Sequence, residues 1–180
     1  SLSEDFAFQW LNVAKLDEIT PDRGQFPHAS GLLDQRALLK EELSLFVDSI
    51  LRSDRSVKEL LTADHTFLNE RLAMHYGIET VKGAHFRRVT LGNTARHGLL
   101  GKGAVLMMTA YPNRTSPVLR GAWILDRLLA TPQTPPPLNV PDLPENRRGQ
   151  PAKTLRARLE EHRSKPTCFS CHGIMDPLGL

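Results

Sequence analysis

The sequence predicts a mainly α-helical fold, in which a helical module is followed by a proline-rich linker and a small C-terminal segment. Apolar residues recur at helical spacing along most of the chain, whereas residues 84–91 offer the one plausible strand. Seven of the 21 residues at 131–151 are proline, which excludes a helix or a central strand there. The predicted organisation is therefore a module at 1–130, a linker at 131–151 and a final segment at 152–180.

Two amphipathic helices are predicted in the first third of the chain. Residues 3–15 begin with a serine cap and acidic residues, and the apolar stripe of this helix is Phe6, Trp10, Val13 and Leu16. The segment 20–31 contains two prolines and two glycines, so we expect a loop. Residues 32–52 form the longest predicted helix, with an apolar stripe of Leu32, Leu39, Leu43, Phe46 and Ile50. Its charged residues, Glu42 among them, are expected largely on the other side.

Shorter elements are predicted in the middle of the chain. Ser56 is expected to cap a short helix at 57–61, and Asp64 to begin another helix that ends at Gly77. Residues 97–109 are small and apolar, which predicts a helix that other groups can approach closely at its glycines.

The last two helices are separated by the linker. Residues 110–116 are expected to be a loop, after which Ser116 and Pro117 supply a cap and a first-turn proline for a helix. The predicted buried stripe of that helix is Val118, Ala122, Leu125 and Leu129. A strongly charged helix at 154–164 then leads to the C-terminal segment.

Composition and charge exclude several classes of protein. The 180 residues are 40% hydrophobic and 24% charged, which is typical of a globular protein. We recognise no signal peptide and no apolar stretch long enough for a transmembrane helix. The net charge is +3, and seven basic residues fall at 147–165 without interleaved aromatic residues. This pattern favours a solvated basic face, or one that attracts an acidic partner, over a nucleic-acid surface.

The one motif with a specific chemistry is Cys168-Phe169-Ser170-Cys171-His172. Cys-x-x-Cys-His is the attachment pattern of c-type haem. Cysteines three residues apart on a helical turn bring both sulfurs to one edge of a porphyrin, where they add to its two vinyl groups as thioethers. The next residue, His172, then points its imidazole at the iron. The sequence therefore predicts one covalent haem c on Cys168 and Cys171, with His172 as the metal ligand.

Three other interpretations of the cysteine pair stay open. A thioredoxin-like redox pair would follow a strand of an α/β sheet, whereas this motif follows a proline and a charged helix. A zinc site needs four ligands, and His172 directly beside Cys171 does not easily reach the same metal. A disulfide between the two thiols would leave His172 without a role.

A second axial ligand is less well defined by the sequence. Met175 is too close to His172 along the chain to reach the opposite face of a haem. The remaining candidates are Met107, Met108, His97 and His162. Otherwise the ligand lies beyond Leu180 or is absent, and an open position would admit small ligands or peroxide. Arg114 and Arg120 are candidates for pairing with haem propionates, although loop and helix-cap roles are the favoured explanation of this polar cluster.

Seven stretches of the chain occur in an order that is hard to obtain by chance. They are 6–22, LLTADHTFLNERLAMHYGI at 60–78, 86–91, 98–109, NRTSPVLRGAWILDRLL at 113–129, 135–141 and LRARLEEHRSKPTCFSCHGIMDPLGL at 155–180. In these stretches the chain resembles the planctomycete-type cytochrome c-like proteins that are built from consecutive domains of unknown function. The resemblance implies an exported protein with haem attached to Cys168 and Cys171 and His172 as axial ligand. Family members usually continue past residues 176–179, so the haem-attachment segment at 152–180 is expected to be truncated.

These observations predict a c-type cytochrome module that transfers single electrons in the periplasm or another exported compartment, because haem c is attached outside the cytoplasm. Its partner is expected to be a redox protein or an adjacent module of a larger chain. The alternative is a haem-dependent oxidoreductase, peroxidase- or oxygenase-like, with an open sixth coordination position. A structural or binding module of a larger surface protein is a third interpretation. The sequence marks no catalytic residue.

Overall fold

Helices account for most of the regular structure. The computed structural model describes residues 3–25, 32–92, 95–135, 138, 151 and 153–180. The chain is 55% helical and its sheets have only two strands each, which confirms the predicted mainly α fold. The chain divides into two compact units, Ser1–Thr115 and Ser116–Leu180. We refer to them as unit 1 and unit 2.

Unit 1 begins with short helical turns and one long helix. Its first elements are a π-helical turn at Ser3–Ala7, α1 at Phe8–Leu11, α2 at Lys15–Glu18 and α3 at Leu32–Leu51. The long predicted helix is thus confirmed as α3, with Leu39, Leu43, Phe46 and Ile50 buried on one stripe. The side chain of Leu32 and the part of the predicted loop at 26–31 lie outside the described residues.

The first predicted helix is interrupted, and its buried stripe differs from the prediction. Asn12 ends α1 in the left-handed conformation, with φ 58°. This break resets the helical phase, so Leu11 lies with Val13 in the core. Phe6 remains 57% exposed and stacks on Trp10, with 5.9 Å between ring centroids. Of the predicted stripe, Val13 and Leu16 are buried and Trp10 is half-buried, so the prediction is wrong for Phe6.

The segment after Asp64 is a strand rather than the predicted start of a helix. The elements here are α4 at Glu59–Thr62, β1 at His65–Leu68, α5 at Glu70–His75 and β2 at Arg87–Thr90. The β1 strand pairs antiparallel with β2, so that His65 lies opposite Thr90. Asn69, not Asp64, caps the following helix, because its Oδ1 accepts a hydrogen bond of 2.9 Å from Leu72 N. Pairing with β2, the predicted strand, outweighs the helical spacing of this segment.

The helix predicted at the end of unit 1 is shorter and more interrupted than expected. A 3₁₀ turn at Leu99–Gly101 precedes α6 at Gly103–Met108, so the predicted helix at 97–109 is present only in part. The predicted loop at 110–116 contains a hairpin of β3, Ala110–Tyr111, and β4, Arg114–Thr115.

The regular structure of the described part of unit 2 is helical. They are α7 at Pro117–Trp123 with a π-helical continuation at Ile124–Leu128, α8 at Leu155–Arg163 and α9 at Pro166–Gly179. Ser116 Oγ accepts from Leu119 N at 3.2 Å, which confirms the predicted cap of α7. Residues 131–135 have no regular structure, and most of the remaining predicted linker lies outside the described residues. Across the described ranges, we find no helix that combines the length and apolar character needed to cross a membrane.

The buried face of α7 is rotated from its predicted position. Leu129 is 54% exposed and Val118 and Ala122 are only half-buried, whereas Gly121 and Ile124 are buried with the predicted Leu125. The cause is a close approach to α9, which turns the glycine inward. Helix α7 therefore belongs to the same compact unit as the cysteine motif, while the division at residues 130 and 151 stays a prediction about modules.

Candidate functional site

The cysteine motif lies on one face of a continuous helix. Cys168, Cys171 and His172 are all part of α9, and their spacing of three and four residues aligns them along one side. Pro166 is at the first turn of this helix, where its missing N–H has no cost. The two thiols and the imidazole therefore lie on one side of the helix, with Cys171 and His172 on either flank of Cys168.

Both cysteines are free thiols and are half-buried. Each sulfur has a weak contact with the hydroxyl of a neighbouring residue. Thr167 Oγ1 is 4.0 Å from Cys168 Sγ, and Ser170 Oγ donates to Cys171 Sγ at 3.9 Å. Partial exposure leaves both sulfurs accessible to a reaction partner from solvent.

His172 is oriented by a carboxylate one helical turn further along. Its Nδ1 is 2.9 Å from Asp176 Oδ1, and the Asp176 side chain is fully buried while that of His172 is 21% exposed. An ionised carboxylate only accepts hydrogen bonds, so Nδ1 donates and Nε2 keeps the lone pair. Within the described residues, the other carboxylate oxygen, Oδ2, is buried with no hydrogen-bond partner. This arrangement leaves the lone pair on Nε2, the atom that a metal would use.

His162 of α8 contacts the same imidazole. The ring centroids of His162 and His172 are 4.8 Å apart, and the planes are nearly perpendicular at 82°. Burial, His172 and Lys165 lower the pKa of His162, with Asp176 acting in the opposite direction. Rings in edge contact leave no room for a flat macrocycle between them. In this arrangement His162 packs against the proposed axial ligand rather than facing it across an iron.

The other predicted candidates for a second axial ligand belong to unit 1. Met108 is a core residue of unit 1, and His97 Nε2 is 3.1 Å from the Gly92 carbonyl in the same unit. Met107, also in unit 1, is half-buried, and Met175 is buried on α9. Within unit 2, the structure brings the candidate His162 next to the motif.

The glycines of α6 are approached by side chains of the protein itself. A Cβ at Gly103 would lie 2.4 Å from Leu39 Cδ2 and 2.7 Å from the Tyr76 hydroxyl. The close approach predicted for this helix is therefore present. The groups that approach Gly103 are the side chains of Leu39 and Tyr76.

The two arginines considered for haem propionates have structural contacts. Arg120 Nε donates to the Gly179 carbonyl at 2.8 Å, and Nη2 donates to the same oxygen. This bond ties the last turn of α9 to α7. The Arg114 guanidinium lies 4.6 Å from the centre of the Tyr111 ring in the β3–β4 hairpin of unit 1. The contacts favour the structural interpretation of both residues.

Apolar surface flanks the motif. Cys171, Ile174 and Leu178 follow one another by three and four residues and therefore share a side of α9. Ile174 is 60% exposed, as is Phe169 on the opposite flank. An open cleft of about 600 Å³ begins beside Phe169 and is lined by Glu160, Arg163, Ser164, Pro166 and Phe169. Exposed apolar side chains of this kind are typical of a surface that takes up an apolar group.

A buried polar cluster in unit 1 was missed in the sequence analysis. Glu42 is fully buried and accepts hydrogen bonds of 2.5 Å from Thr66 Oγ1 and from the Tyr76 hydroxyl. Lys102 is also buried, and its Nζ donates to the His65 carbonyl at 3.0 Å. Burial raises the pKa of Glu42 and lowers that of Lys102 to about 8. These groups bond to one another and to the backbone, as in a structural network.

A signal for this cluster was present in the sequence. Glu42 follows Leu39 by three residues and precedes Phe46 by four, so it falls on the apolar stripe of α3. A charged residue on a core-facing stripe must be buried with partners. The expectation that Glu42 lies on the other side of the helix is therefore wrong.

No metal-binding cluster is found in the described ranges. Among these residues, no three or more His, Cys, Asp or Glu side chains are arranged so that they could hold a metal ion. The motif on α9 instead offers one imidazole ligand beside two thiols. Such a donor set fits a metal that is delivered inside a cofactor, which itself supplies the other ligands.

Two family models match successive parts of the chain. Residues 1–78 match PSD4, described as a protein of unknown function (DUF1592), and residues 96–180 match PSCyt3, described as a protein of unknown function (DUF1588). The second range includes Cys168, Cys171 and His172. No curated protein and no solved structure matches the chain. The two matches, in this order, support the resemblance to the planctomycete cytochrome-like domains.

Proposed function

We propose that this chain is a c-type cytochrome module that carries one covalent haem c and transfers single electrons. Cys168 and Cys171 are the thioether attachments and His172 is the axial ligand. The observation that carries the proposal is the alignment of the two free thiols and the oriented imidazole on one face of α9. The match of this segment to a cytochrome-like domain agrees with it.

Each residue of the site has a role that follows from its surroundings. The thiols are half-exposed and are able to react with vinyl groups that arrive from solvent. His172 offers Nε2 because Asp176 accepts the hydrogen of Nδ1. The exposed side chains of Ile174 and Phe169 would be shielded from water by an apolar cofactor. When bound, haem c supplies a one-electron couple.

The proposal includes an exported location and a protein partner. Haem c is attached outside the cytoplasm, so we infer the periplasm or an equivalent compartment. The basic side chains of Lys153, Arg156 and Lys165 are exposed around α8. Such a surface would attract an acidic redox partner or an acidic neighbouring module of a larger chain.

One observation favours a second function, a haem-dependent oxidoreductase with an open sixth coordination position. In the described part of unit 2, His162 contacts His172 directly and Met175 is buried on the same helix as His172. Neither residue is placed where it could bind a haem iron on the side opposite His172. Carbon monoxide binding to the ferrous protein separates the two functions, because a six-coordinate electron carrier resists it.

The proposal is tested by the intact mass of the denatured protein, purified from a host that matures c-type haem. The expected result is the polypeptide mass plus one haem. Changing Cys168→Ala and Cys171→Ala together should abolish the gain, while the matched change Ser170→Ala between them should preserve it. A bare polypeptide mass from a competent host would contradict the cytochrome function.

A further inference from the structure

We propose that Asp176 is a positioning residue that fixes the orientation of His172 and lowers the reduction potential of the bound haem. The inference rests on the proposed function. It assigns a role to a buried carboxylate that is not part of the Cys-x-x-Cys-His motif.

The hydrogen bond is held by rigid surroundings. His172 and Asp176 are four residues apart on α9, so their side chains meet along one helix face. The helix is fixed beneath them, because a Cβ on Gly121 of α7 would lie 1.8 Å from the Met175 carbonyl oxygen. Asp176 is fully buried, which removes competing water from the carboxylate. The imidazole is therefore held with Nε2 turned away from Asp176.

A carboxylate acts on the imidazole more strongly than a neutral acceptor would. Charge-assisted hydrogen bonds are about twice as strong as neutral ones, and an acceptor behind a ligating histidine raises the basicity of that ligand. Reduction of ferric to ferrous iron adds one electron and lowers the charge of the centre by one. A more basic ligand and a nearby negative charge both favour the ferric state, so the potential falls.

The described residues give the Asp176 side chain a single hydrogen bond, the one to His172. Among the described residues, Oδ2 of Asp176 has no hydrogen-bond partner, and Oδ1 has His172. Low dielectric around a buried group strengthens the remaining interaction. A purely structural role would stabilise the fold and leave the potential unchanged.

The test compares Asp176→Asn with Asp126→Asn, which removes the same charge from unit 2. Asp126 is exposed and pairs with Arg127 at 2.8 Å, without contact to His172. Haem attachment is first established by mass for each protein, and the midpoint potential is then measured. At a fixed ambient potential, Asp176→Asn should raise the ferrous-to-ferric ratio at least tenfold, which corresponds to about 59 mV for one electron. Asp126→Asn should change the ratio less than twofold.

The outcomes separate this inference from the proposed function. Absence of haem from the unmodified protein contradicts the function itself. Attached haem with equal potentials in both variants overturns the role of Asp176. If Asp176→Asn does not fold, nitrogen-15 NMR of the haem-free Cys168→Ala, Cys171→Ala chain gives the tautomer of neutral His172. Protonation at Nδ1 supports the inference, and protonation at Nε2 overturns it.

Discussion

Gly121 of α7 lies directly against the backbone of Met175 on α9, so that a Cβ on the glycine would fall 1.8 Å from the Met175 carbonyl oxygen. A second glycine repeats the relationship from the other helix, because a Cβ on Gly179 would fall 1.8 Å from the Pro117 carbonyl oxygen. Two backbone contacts of this kind determine where α9 lies on α7. They therefore determine where the face that bears His172 lies within unit 2.

Replacing Gly121 with alanine should destabilise unit 2 by about 3 kcal/mol, because a backbone oxygen cannot move aside as a side chain can. This expected destabilisation is opposite to the effect of helix propensity, which favours alanine over glycine. Urea unfolding followed by circular dichroism measures the free energy. Gly173→Ala on α9 is the matched control. Its Cβ would meet the exposed Phe169 ring at 3.1 Å, which can shift, so we expect little change. Equal stabilities for the two variants would mean that the helices separate easily.

Replacing Arg120 with lysine should cost about 1 kcal/mol of stability and loosen the end of α9. The guanidinium donates to the Gly179 carbonyl from both Nε and Nη2, and an ammonium group cannot reproduce that fork. Hydrogen exchange at the last turn of α9 reports the loosening. Arg127→Lys, at an ion pair with its neighbour Asp126, is the control and should leave exchange unchanged. Unchanged exchange in both variants would contradict the anchoring role of Arg120.

Elements defined by local signals were predictable from the sequence, and those defined by distant contacts were not. The α3 helix has a long apolar stripe, and α8 has a threonine cap whose Oγ1 accepts from Ala157 N at 3.2 Å. In contrast, β1 depends on pairing with β2, which lies later in the chain. Nothing in the spacing of residues 65–68 encodes that partner. The inward face of α7 was similarly set by α9 through Gly121.

The candidate site was likewise predictable from the sequence only where its signal is local. The Cys-x-x-Cys-His motif is local, and its residues do lie on one helix face. Asp176 was not singled out, because its relation to His172 exists only if α9 continues through Pro177, a residue that usually ends a helix. Pro177 is tolerated here in the last turn. The contact of His162 with His172 depends on the packing of two helices, which no spacing rule supplies.

Stability should rise with pH between about 8 and 10.5 because of Lys102. Burial lowers the pKa of this amine from 10.5 to about 8, so in this window the unfolded chain binds more protons than the folded chain. The free energy of unfolding should therefore increase by roughly 3 kcal/mol across the window. In Lys102→Met this rise should be absent. The raised pKa of Glu42 acts in the opposite direction, as stability falls while pH rises through that pKa. Because the Lys102 charge partly offsets this raised pKa, the pKa of Glu42 should be higher still in Lys102→Met, which adds a fall and not a rise to the profile of that variant. Urea titrations at several pH values provide the measurement, and parallel pH profiles would contradict the assignment.

Removing the Tyr76 hydroxyl should destabilise unit 1 by about 2 kcal/mol, because two buried groups lose a hydrogen-bond partner. The hydroxyl donates to Glu42 Oε2 at 2.5 Å and accepts from Gly103 N at 2.8 Å. Tyr76→Phe is compared with Tyr111→Phe, whose ring is 43% exposed and whose change should cost little. Thermal unfolding of both variants measures the difference. Similar unfolding temperatures would show that water replaces the hydroxyl.

His162 is expected to support His172 by packing and not to bind iron. The two rings are in edge contact at 4.8 Å, and a haem cannot lie between them without separating α8 from α9. His162→Phe preserves an aromatic ring at this position but removes both nitrogens. The variant should therefore retain covalent haem, the visible absorption spectrum and the carbon monoxide affinity of the unmodified protein. His172→Phe is the comparison, and it should lose the axial-ligand features while the thioethers remain. A gain of carbon monoxide binding in His162→Phe would identify His162 as the sixth ligand and would require the two helices to move apart when haem is bound.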